Sequence, residues 1–422
     1  MAIIIQYVER TKTTKTIFWP STQCGNKEIM KISNAWPNQD QLTLLKAALL
    51  APDEAEPYWQ QFIATRNIQN LDHGCNQVLP MVFINLKGRM KDDINKKVCR
   101  SSYRFVWANN HLLMHDAKAM LLLLKKHNLQ VCLLKGAAFI GHYFPDYGMR
   151  VLGDIDLLVL PNNLSEVVNI FESNHYQIKS NQSDVNVRDL FRIFHARSFI
   201  NQRGTEIDVH QYLSKFLINA EFSERIWKNK VSIDLFGSEN LAYVLSPTYQ
   251  LLHTVVHGLQ YAPVSSIRWI VDAASLLKNP SADIEWNELI EVCSKHHLNL
   301  PMSLALIFLA EEMSLSIPDN VLSCFDSQKI TSKDKEYFSR SSHLGLHSTY
   351  ERVKRSWEHY KIYSATSSEK YRLLGFYDFL LVYFDLKSRW MLVPYVVRKL
   401  SGVFWRCISM FFKQYYSKKR TT

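Results

Sequence analysis

The spacing of the hydrophobic positions changes twice along the chain, and each change separates a helical stretch from one that mixes strands and helices. Over residues 36–128 the apolar positions recur every three to four residues, which is the period of amphipathic helices. Residues 129–215 instead hold short apolar runs and strict alternation, which predict strands between helices. We therefore expect an N-terminal helical region, an α/β unit and a C-terminal helical domain over residues 216–385, with an arm at residues 1–35 and a tail at residues 386–422.

The α/β unit contains four segments with the pattern of a strand and one with the pattern of a helix. The predicted elements are a strand at Leu129–Leu134, a strand at Asp154–Leu160, a helix at Leu164–Ser173, and a hairpin of Ser198–Asn201 with Thr205–His210. Because helical regions flank this unit on both sides along the chain, the sequence predicts an α+β fold that is predominantly helical.

The composition is that of a folded chain. Hydrophobic residues make up 47% of the 422 positions and charged residues 21%, which excludes general disorder and a collagen-like fibre. The net charge of +11 would ordinarily suggest nucleic acid or an anionic membrane as a partner. However, nine basic residues and no acidic residue follow Asp385, which leaves 41 basic against 39 acidic residues before that point. The basic character therefore belongs to the tail.

The cysteines and the apolar segments predict a cytoplasmic location. The seven cysteines are scattered, and no two have the spacing Cys-x-x-Cys, which argues against a disulfide framework and a zinc knuckle. The apolar stretch at residues 2–5 is too short for a signal peptide and has no basic region before it. The longest apolar stretch, Leu298–Ala310, contains Pro301 and is shorter than the ~20 residues that span a bilayer.

Three aspartates alternate with apolar residues in the predicted strands. Asp154 and Asp156 are two positions apart, so their carboxylates share one face of a strand. The same alternation places Asp208 as a third carboxylate on a neighbouring strand. Clustered carboxylates with hard oxygen ligands favour Mg²⁺ or Mn²⁺. The alternative is that Asp154 and Asp156 cap a turn and end a strand in solvent.

A glycine follows the first predicted strand and begins a helix. Backbone N–H groups at such a point hold phosphate oxygens, and Gly136 with Ala137 is therefore a candidate phosphate turn. Lys135 adds positive charge beside it, and Arg150 lies four residues before Asp154, where it could clamp a phosphate. The alternatives are an ordinary tight turn at Gly136 and a surface ion pair at Arg150.

In this order the motifs resemble the polymerase-β-like nucleotidyltransferase superfamily and, more narrowly, an uncharacterised bacterial nucleotidyltransferase family. The resemblance rests on a strand followed by Lys-Gly and a helix, then on Gly-Asp-Ile-Asp-Leu-Leu-Val at residues 153–159 and Glu-Ile-Asp-Val-His at residues 206–210. Outside the core it extends to Trp36-Pro37, to Leu71-Asp72-His73-Gly74, and to the stretch from His253 to Asp272. It covers most of residues 36–280.

The resemblance implies a mixed sheet with helices on one side, a nucleoside triphosphate such as ATP, and two Mg²⁺ or Mn²⁺ ions. It makes Asp154 and Asp156 ligands of both ions. Asp208 would hold the catalytic ion and help to deprotonate an acceptor hydroxyl, while the turn at Gly136 and Ala137 receives the β- and γ-phosphates. The expected reaction transfers a nucleoside monophosphate to the acceptor and releases pyrophosphate.

One departure from the superfamily pattern keeps other functions open. The superfamily usually has Gly-Ser or Gly-Gly at the phosphate turn, and this chain has Gly136-Ala137, which supplies no hydroxyl. A non-catalytic nucleotide- or partner-binding protein on a decayed nucleotidyltransferase fold is one alternative. Transfer of the γ-phosphoryl group through the same metal site is another. The acceptor is open as well: a small molecule, a peptide or protein, and an RNA are all compatible.

Four further residues are candidates for lining the cleft. His253 and His257 lie four apart on a predicted helix at Tyr249–Gly258, so they share a face, and packing or acceptor contact is favoured over a zinc site. Arg268 and Asp272 have the same spacing, which predicts a surface pair on a helix and leaves Arg268 as a cleft candidate. His210 follows the third carboxylate by two positions.

The tail has the pattern of a basic amphipathic helix. Within residues 394–420 a narrow polar stripe with Lys399, Arg406 and Lys413 opposes a wide apolar face. Such a helix could contact an anionic membrane or a protein groove. The alternative, which we favour, is that the apolar face packs on the body of the protein.

Overall fold

The computed structural model describes residues 35–342 apart from residue 92 and six short gaps at 180–186, 188–189, 192–193, 215–216, 261–266 and 328–329. It also describes the strand segments 15–18 and 29–32 and scattered positions from 357 to 397. Among all these residues, no helix is both long and apolar enough to cross a membrane. The predicted amphipathic segment 394–420 lies outside the described residues except at 394, 395 and 397, and it stays a prediction.

The N-terminal part consists of a two-stranded ribbon and four helices. Strand β1 (Lys15–Phe18) pairs antiparallel with β2 (Ile29–Ile32). The helices that follow are α1 (Gln39–Leu49), α2 (Pro52–Thr65), α3 (His73–Leu86) and the long α4 (Ile94–Lys126). The helical spacing predicted over residues 36–128 is confirmed by these four helices.

Two side-chain caps fix the starts of α1 and α3 against each other. The side-chain oxygen Oδ1 of Asn38 accepts from the backbone N–H of Gln41 at 2.9 Å. In return, the side-chain oxygen Oε1 of Gln41 accepts from the backbone N–H of Asn38, also at 2.9 Å. The Asp72 carboxylate accepts from the backbone N–H of Cys75 at 2.8 Å and from the Gln41 amide at 3.1 Å. The two helix starts therefore share one hydrogen-bond network.

The central part is a seven-stranded mixed sheet in the order β5-β6-β7-β4-β3-β9-β8. The pairs β4–β7 and β3–β9 are parallel, and the other neighbours are antiparallel. In chain order the elements are β3 (Val131–Leu134), α5 (Lys135–Ala138) with a π-helical turn (Phe139–Tyr143), β4 (Ile155–Val159), a 3-10 turn (Pro161–Asn163), α6 (Leu164–Ser173), β5 (Gln177–Ile178), β6 (Ala196–Ile200), β7 (Glu206–His210), α7 (Ala220–Lys228), β8 (Val231–Leu235) and β9 (Ser238–Val244).

This sheet confirms the predicted α+β class and is larger than the predicted unit. The two single strands, the helix α6 and the β6–β7 hairpin lie where the sequence predicts them. Strands β8 and β9, however, fall in the stretch 216–385 that was predicted as helical. A signal was present, because Val231–Leu235 alternates apolar and polar residues and leads into Phe236-Gly237, where both φ angles are positive.

Both faces of the sheet are covered, which corrects the expectation of helices on one side only. Leu133 and Leu157 belong to a core that also contains residues of α4 and α6. Leu134 and Leu158, which point the opposite way, belong to a second core shared with the flanking helical regions. By the same alternation, Asp156 points towards the second core, where the C-terminal helices lie.

The C-terminal part packs against the N-terminal helices in that second core. Its helices are α8 (Pro247–Gly258), α9 (Arg268–Lys278), α10 (Trp286–Lys295), α11 (Asn299–Met313), α12 (Asp319–Ser327) and α13 (Ser332–Ser342), with a 3-10 turn at Arg389–Met391. The Trp269 indole donates to the carbonyl of Ala35 at 2.9 Å. Trp36 meets the rings of Trp269 and Phe308 edge to face, at 5.6 and 5.3 Å. The two helical regions predicted from the sequence thus share one core.

Candidate functional site

The parallel pairing of β4 and β7 brings two of the predicted carboxylates together. Asp156 and Asp208 are register partners, so their side chains leave the same face of neighbouring strands. Asp156 is only 1% exposed, and Asp208 is half-buried. On the other side of β7, Ser198 is the register partner of Asp208, and its hydroxyl donates to Asp208 Oδ1 at 2.5 Å.

His210 completes a compact group of possible metal ligands. It lies two positions after Asp208 and therefore on the same face of β7. Its Nε2 is 3.0 Å from Asp156 Oδ1, and its Nδ1 is buried without a hydrogen-bond partner in the described part of the chain. Ligand atoms of Asp156, Asp208 and His210 lie within 4.8 Å of one another. Two carboxylates and an imidazole are a donor set that fits a divalent cation.

Lys135 is bound to the same carboxylate. Its ammonium lies 2.5 Å from Asp156 Oδ1, and its backbone has a φ of +44° in the left-handed region, which is strained for a residue other than glycine. Burial alone would lower the pKa of Lys135, but the charge of Asp156 outweighs it and raises that pKa. The predicted role of Lys135 beside a phosphate stays a prediction, whereas its contact with Asp156 is a new finding.

Two aspartates of the site differ in their affinity for protons. Burial would raise the pKa of Asp156, but Lys135 and the hydrogen bond from His210 hold it well below its usual range. For Asp154, burial and the charge of Asp156 both act in one direction and raise its pKa to about 6. Asp154 precedes the first residue of β4 and is outside the compact ligand group. The structure therefore joins Asp156 to Asp208 as predicted and places His210, rather than Asp154, with them.

Gly136 is required by the close approach of another side chain. A Cβ atom at this position would collide with the guanidinium of Arg150 and with a methyl group of Leu152. Gly136 and Ala137 are both buried at the start of α5, which has only four residues. This is a packing reason for glycine. Phosphate binding by the turn stays a prediction.

Arg150 forms a buried ion pair, which corrects the alternative of a surface pair. Its Nε and Nη2 donate to the two carboxylate oxygens of Asp272, each at 2.8 Å, and its Nη1 donates to the carbonyl of Val151 at 2.9 Å. Both partners of the ion pair are buried, so the pair is not on the surface. Since each guanidinium nitrogen donates to the protein, Arg150 positions the loop before β4. Its predicted contact with a phosphate stays a prediction. The predicted surface pair of Arg268 with Asp272 is wrong, because Asp272 is buried and paired with Arg150.

The loop before β4 is also held from the side of α4. Asn110 is fully buried in the middle of that helix. Its amide donates to the carbonyl of Arg150 at 2.6 Å, and its carbonyl oxygen accepts from the backbone N–H of Leu152 at 3.2 Å. Helix α4 on one side and helix α9 on the other thus fix the backbone that leads into Asp154 and Asp156.

Arg268, like Lys135, is a half-buried cation of the site. Its Nη1 donates to the carbonyl of Val151 at 3.2 Å, which Arg150 also contacts. Burial and the charge of Arg150 lower the pKa of Arg268. Its own charge in turn favours the ionised form of Asp154. It forms no ion pair with any carboxylate among the residues that the structure describes.

The two predicted histidines of α8 lie in the same electrostatic environment. Their rings are 5.8 Å apart on one face of the helix. His253 is buried, and burial together with Lys135 lowers its pKa to about 3. His257 is exposed, yet the surrounding protein and Lys135 still hold its pKa well below its usual range.

A match to a family profile shows the family of this chain. The profile described as "Uncharacterised nucleotidyltransferase" matches residues 75–314. The chain belongs to this nucleotidyltransferase family. The matched range contains every residue of the site, from Lys135 to Asp272. The family predicted from the order of the motifs is therefore confirmed, and the chain has the mixed sheet that the resemblance implied.

Comparison with solved structures finds one similar chain. It is an antigenic nucleotidyltransferase-like protein from Paracoccidioides brasiliensis, with 15% sequence identity and a TM-score of 0.31 over 55% of this chain and 96% of the other. No curated protein matches the sequence.

One residue of the site, Ser198, was missed by sequence reasoning although a signal existed. Ser198 begins the first strand of the predicted hairpin. If Asn201 faces Thr205 across the turn, counting back along both strands places Ser198 opposite Asp208. The hydrogen bond to Asp208 could therefore have been anticipated from the hairpin alone.

Proposed function

We propose that the chain is a metal-dependent nucleotidyltransferase that transfers a nucleoside monophosphate from a nucleoside triphosphate to an acceptor hydroxyl and releases pyrophosphate. The observation that carries the proposal is the register pairing of Asp156 with Asp208, with His210 beside them, in a chain of a nucleotidyltransferase family. Adjacent buried carboxylates repel each other and favour a bound cation.

The compact ligand group would hold the divalent ion. Asp156, Asp208 and His210 supply its donor atoms, and we propose Asp154 as a ligand of a second ion. When bound, Mg²⁺ or Mn²⁺ offsets the charge that develops on the phosphate oxygens. Burial and the charge of Asp156 raise the pKa of Asp154, and a bound cation would lower it again by favouring the ionised form.

The cations of the chain would bind the triphosphate. Arg268 is the strongest candidate, because the residue is half-buried and its guanidinium has no carboxylate partner in the described residues. A guanidinium donates to two phosphate oxygens at once. Arg150 would act indirectly, since its ion pair with Asp272 fixes the loop on which Val151 presents its carbonyl to both guanidinium groups.

Asp208 would receive the proton of the acceptor. The hydroxyl oxygen attacks the α-phosphorus in line, the bond from that phosphorus to the bridging oxygen of the β-phosphate breaks, and pyrophosphate leaves with the bonding electrons. The Ser198 hydroxyl occupies Asp208 Oδ1 and so orients the carboxylate towards its neighbours. His257, exposed four residues after the buried His253, would contact the acceptor.

The test is label transfer from nucleotides that carry ³²P at the α- or the γ-position. The purified chain is incubated with each of the four labelled nucleotides, Mg²⁺ or Mn²⁺, and a cell extract as the source of acceptor. Transfer of the α-label alone supports the proposal. Transfer of the γ-label alone means phosphoryl transfer, and no transfer together with measurable nucleotide binding means a binding protein.

The matched control is Asp208→Asn, which keeps the size of the side chain and removes its charge. It should abolish transfer while its circular dichroism spectrum stays the same. Protease, nuclease and size fractionation of the labelled product then separate a protein, an RNA and a small-molecule acceptor.

A further inference from the structure

Helix α4 presents a row of apolar side chains to solvent. Phe105 is 73% exposed, and Leu112, two turns later on the same face, is 71% exposed. The row continues to Leu122, which is 45% exposed, and it covers ~25 Å of the helix. Its members are all exposed and follow one another every three or four residues, which is the spacing of a seam that packs against another helix. This α4 seam consists of Phe105, Ala108, Leu112, His115, Ala119 and Leu122.

A row of basic residues runs beside the α4 seam. Arg104 directly precedes Phe105, and a lysine, arginine or histidine occupies the same flank at each seven-residue step. Asp116 is the only acidic residue in the sequence of α4, and it is buried and ion-paired with Arg203. The exposed side of α4, which the structure describes in full, therefore combines an apolar seam with a basic flank and no carboxylate. The basic row consists of Lys97, Arg104, His111, Lys118 and Lys125.

Charge argues against an occupant that comes from this chain. The tail after Asp385 carries nine basic residues and no acidic one, so it would bring like charge to the basic row. A second copy would do the same in an antiparallel arrangement, where the two basic rows face each other. In a parallel arrangement the basic row would face the opposite flank, where Ser102, Asn109 and Leu123 supply no counter-charge.

The composition of the seam favours a helix over a bilayer or a nucleic acid. Ala108 and Ala119 leave gaps between the larger side chains, and such gaps accept the side chains of a packed helix. A bilayer would instead require the imidazole of His115 to enter the apolar phase. Leu112 and Leu122 offer neither an aromatic ring for base stacking nor a donor for phosphate.

We propose that the α4 seam docks an amphipathic helix of a partner protein, with an apolar stripe and with glutamates or aspartates along one flank. The apolar stripe would cover Phe105, Leu112 and Leu122, and the acidic flank would lie beside the basic row. The inference goes beyond the proposed reaction, because α4 packs on the sheet face opposite to the one that bears Asp156.

The first experiment uses two synthetic helices of about three heptads, with the same leucine stripe and with either glutamate or lysine at the flanking positions. Binding of each fluorescein-labelled peptide to the full-length protein is measured by fluorescence anisotropy. The glutamate peptide should bind at least about tenfold more tightly than the lysine peptide, and this preference should shrink at high salt. Equal binding of both peptides, or binding of neither, would overturn the proposal.

Variants then locate the binding on α4. Leu112→Glu and, independently, Leu122→Glu should each weaken binding of the glutamate peptide by about tenfold or more, because they place a charge in the seam. Lys97→Glu combined with Arg104→Glu should reverse the preference towards the lysine peptide. Ile218→Glu is the matched control, since Ile218 is also exposed but lies outside α4, and it should bind both peptides as the wild type does. Seam variants that fold and bind the glutamate peptide as the wild type does would contradict the assignment.

Three further probes test the other occupants. They are sedimentation velocity of the protein alone, co-sedimentation with phosphatidylcholine vesicles that contain about 30% phosphatidylserine, and anisotropy with a labelled RNA of about 20 uridines. None of these signals should respond to Leu112→Glu. A dimer, a vesicle complex or an RNA complex that is lost in Leu112→Glu would assign the seam to that occupant and refute the proposal.

Discussion

Arg150 and Asp272 form a bidentate ion pair in the protein interior, with both carboxylate oxygens 2.8 Å from guanidinium nitrogens. The pair joins the loop before β4 to helix α9, across 122 residues of sequence. Through it the C-terminal helical region holds the segment that leads into Asp154 and Asp156. The site therefore depends on parts of the chain that lie well outside the small sheet unit.

Removing one partner of this pair should destabilise the fold strongly. Asp272→Ala leaves the Arg150 guanidinium buried without its counter-charge, and we expect a loss of about 3–5 kcal/mol in the free energy of unfolding. Urea denaturation followed by circular dichroism measures this loss. The double variant Arg150→Met with Asp272→Leu should lose less than Asp272→Ala does, because no unpaired charge remains. A single-variant loss below about 1 kcal/mol would contradict a buried pair.

A methyl group at Gly136 should disturb the loop before β4. Gly136→Ala places a Cβ against the Arg150 guanidinium, and we expect a loss of about 1–3 kcal/mol in stability together with reduced label transfer. Gly88→Ala is the matched control, since nothing lies within 4 Å of a Cβ at that position. Chemical denaturation compares the two variants, and equal stabilities would show that the close approach to Arg150 is not rigid.

Replacement of Arg268 should affect nucleotide binding more than folding. Arg268→Ala removes the guanidinium and should raise the KM for the nucleotide by about tenfold or more. Because this side chain makes a single hydrogen bond to the described residues, to the carbonyl of Val151, the unfolding free energy should change much less than in Asp272→Ala. Steady-state kinetics with the labelled nucleotide provide the measurement. An unchanged KM would remove Arg268 from the phosphate site.

Asp208 and Ser198 should differ in the size of their effects on the reaction. Asp208→Asn is expected to lower kcat by about 100-fold or more, because the acceptor proton loses its base. Ser198→Ala only frees Asp208 to reorient, so a loss of about tenfold in kcat is expected. A serine variant as inactive as the aspartate variant would mean that the hydroxyl takes part in the reaction itself.

The stability that Asp72 contributes should depend on pH. Burial opposes ionisation of this carboxyl, but hydrogen bonds from the Cys75 backbone, Gln41 and Asn38 outweigh it and lower the pKa from its ordinary value of 3.8. A lowered pKa in the folded state stabilises the fold above the ordinary value, and this contribution is lost as the pH falls through the folded-state value.

Asp72→Ala is therefore expected to cost about 1–2 kcal/mol near neutral pH and progressively less below pH 3.8. Denaturation curves at several pH values test this expectation. Asp72→Asn serves as a control, because asparagine is also a good helix cap and should retain part of the stability at neutral pH. A cost of Asp72→Ala that does not change with pH would contradict the role of the charge.

Local sequence patterns were sufficient to predict the strands that carry Asp156 and Asp208. Alternation within Asp154–Leu160 and Thr205–His210 fixes which side chains share a face, because successive residues of a strand point to opposite sides. The turn between β6 and β7 further fixes the register that places Ser198 opposite Asp208. The family also followed from these motifs, since their order along the chain is itself a sequence property.

The tertiary structure decided which residues of distant elements contact these side chains. The pairing of Asp156 with Asp208 depends on the strand order that makes β4 and β7 neighbours, and the choice of Asp272 as the partner of Arg150 depends on the packing of α9. Periodicity gives the direction of a side chain relative to its own element but says nothing about which distant element fills the space in front of it. For that reason the sequence determined that Asp154, Asp156 and Asp208 share a face of their strands. Only the packing of the sheet and helices decided that His210 and Lys135 lie beside Asp156 and complete the site.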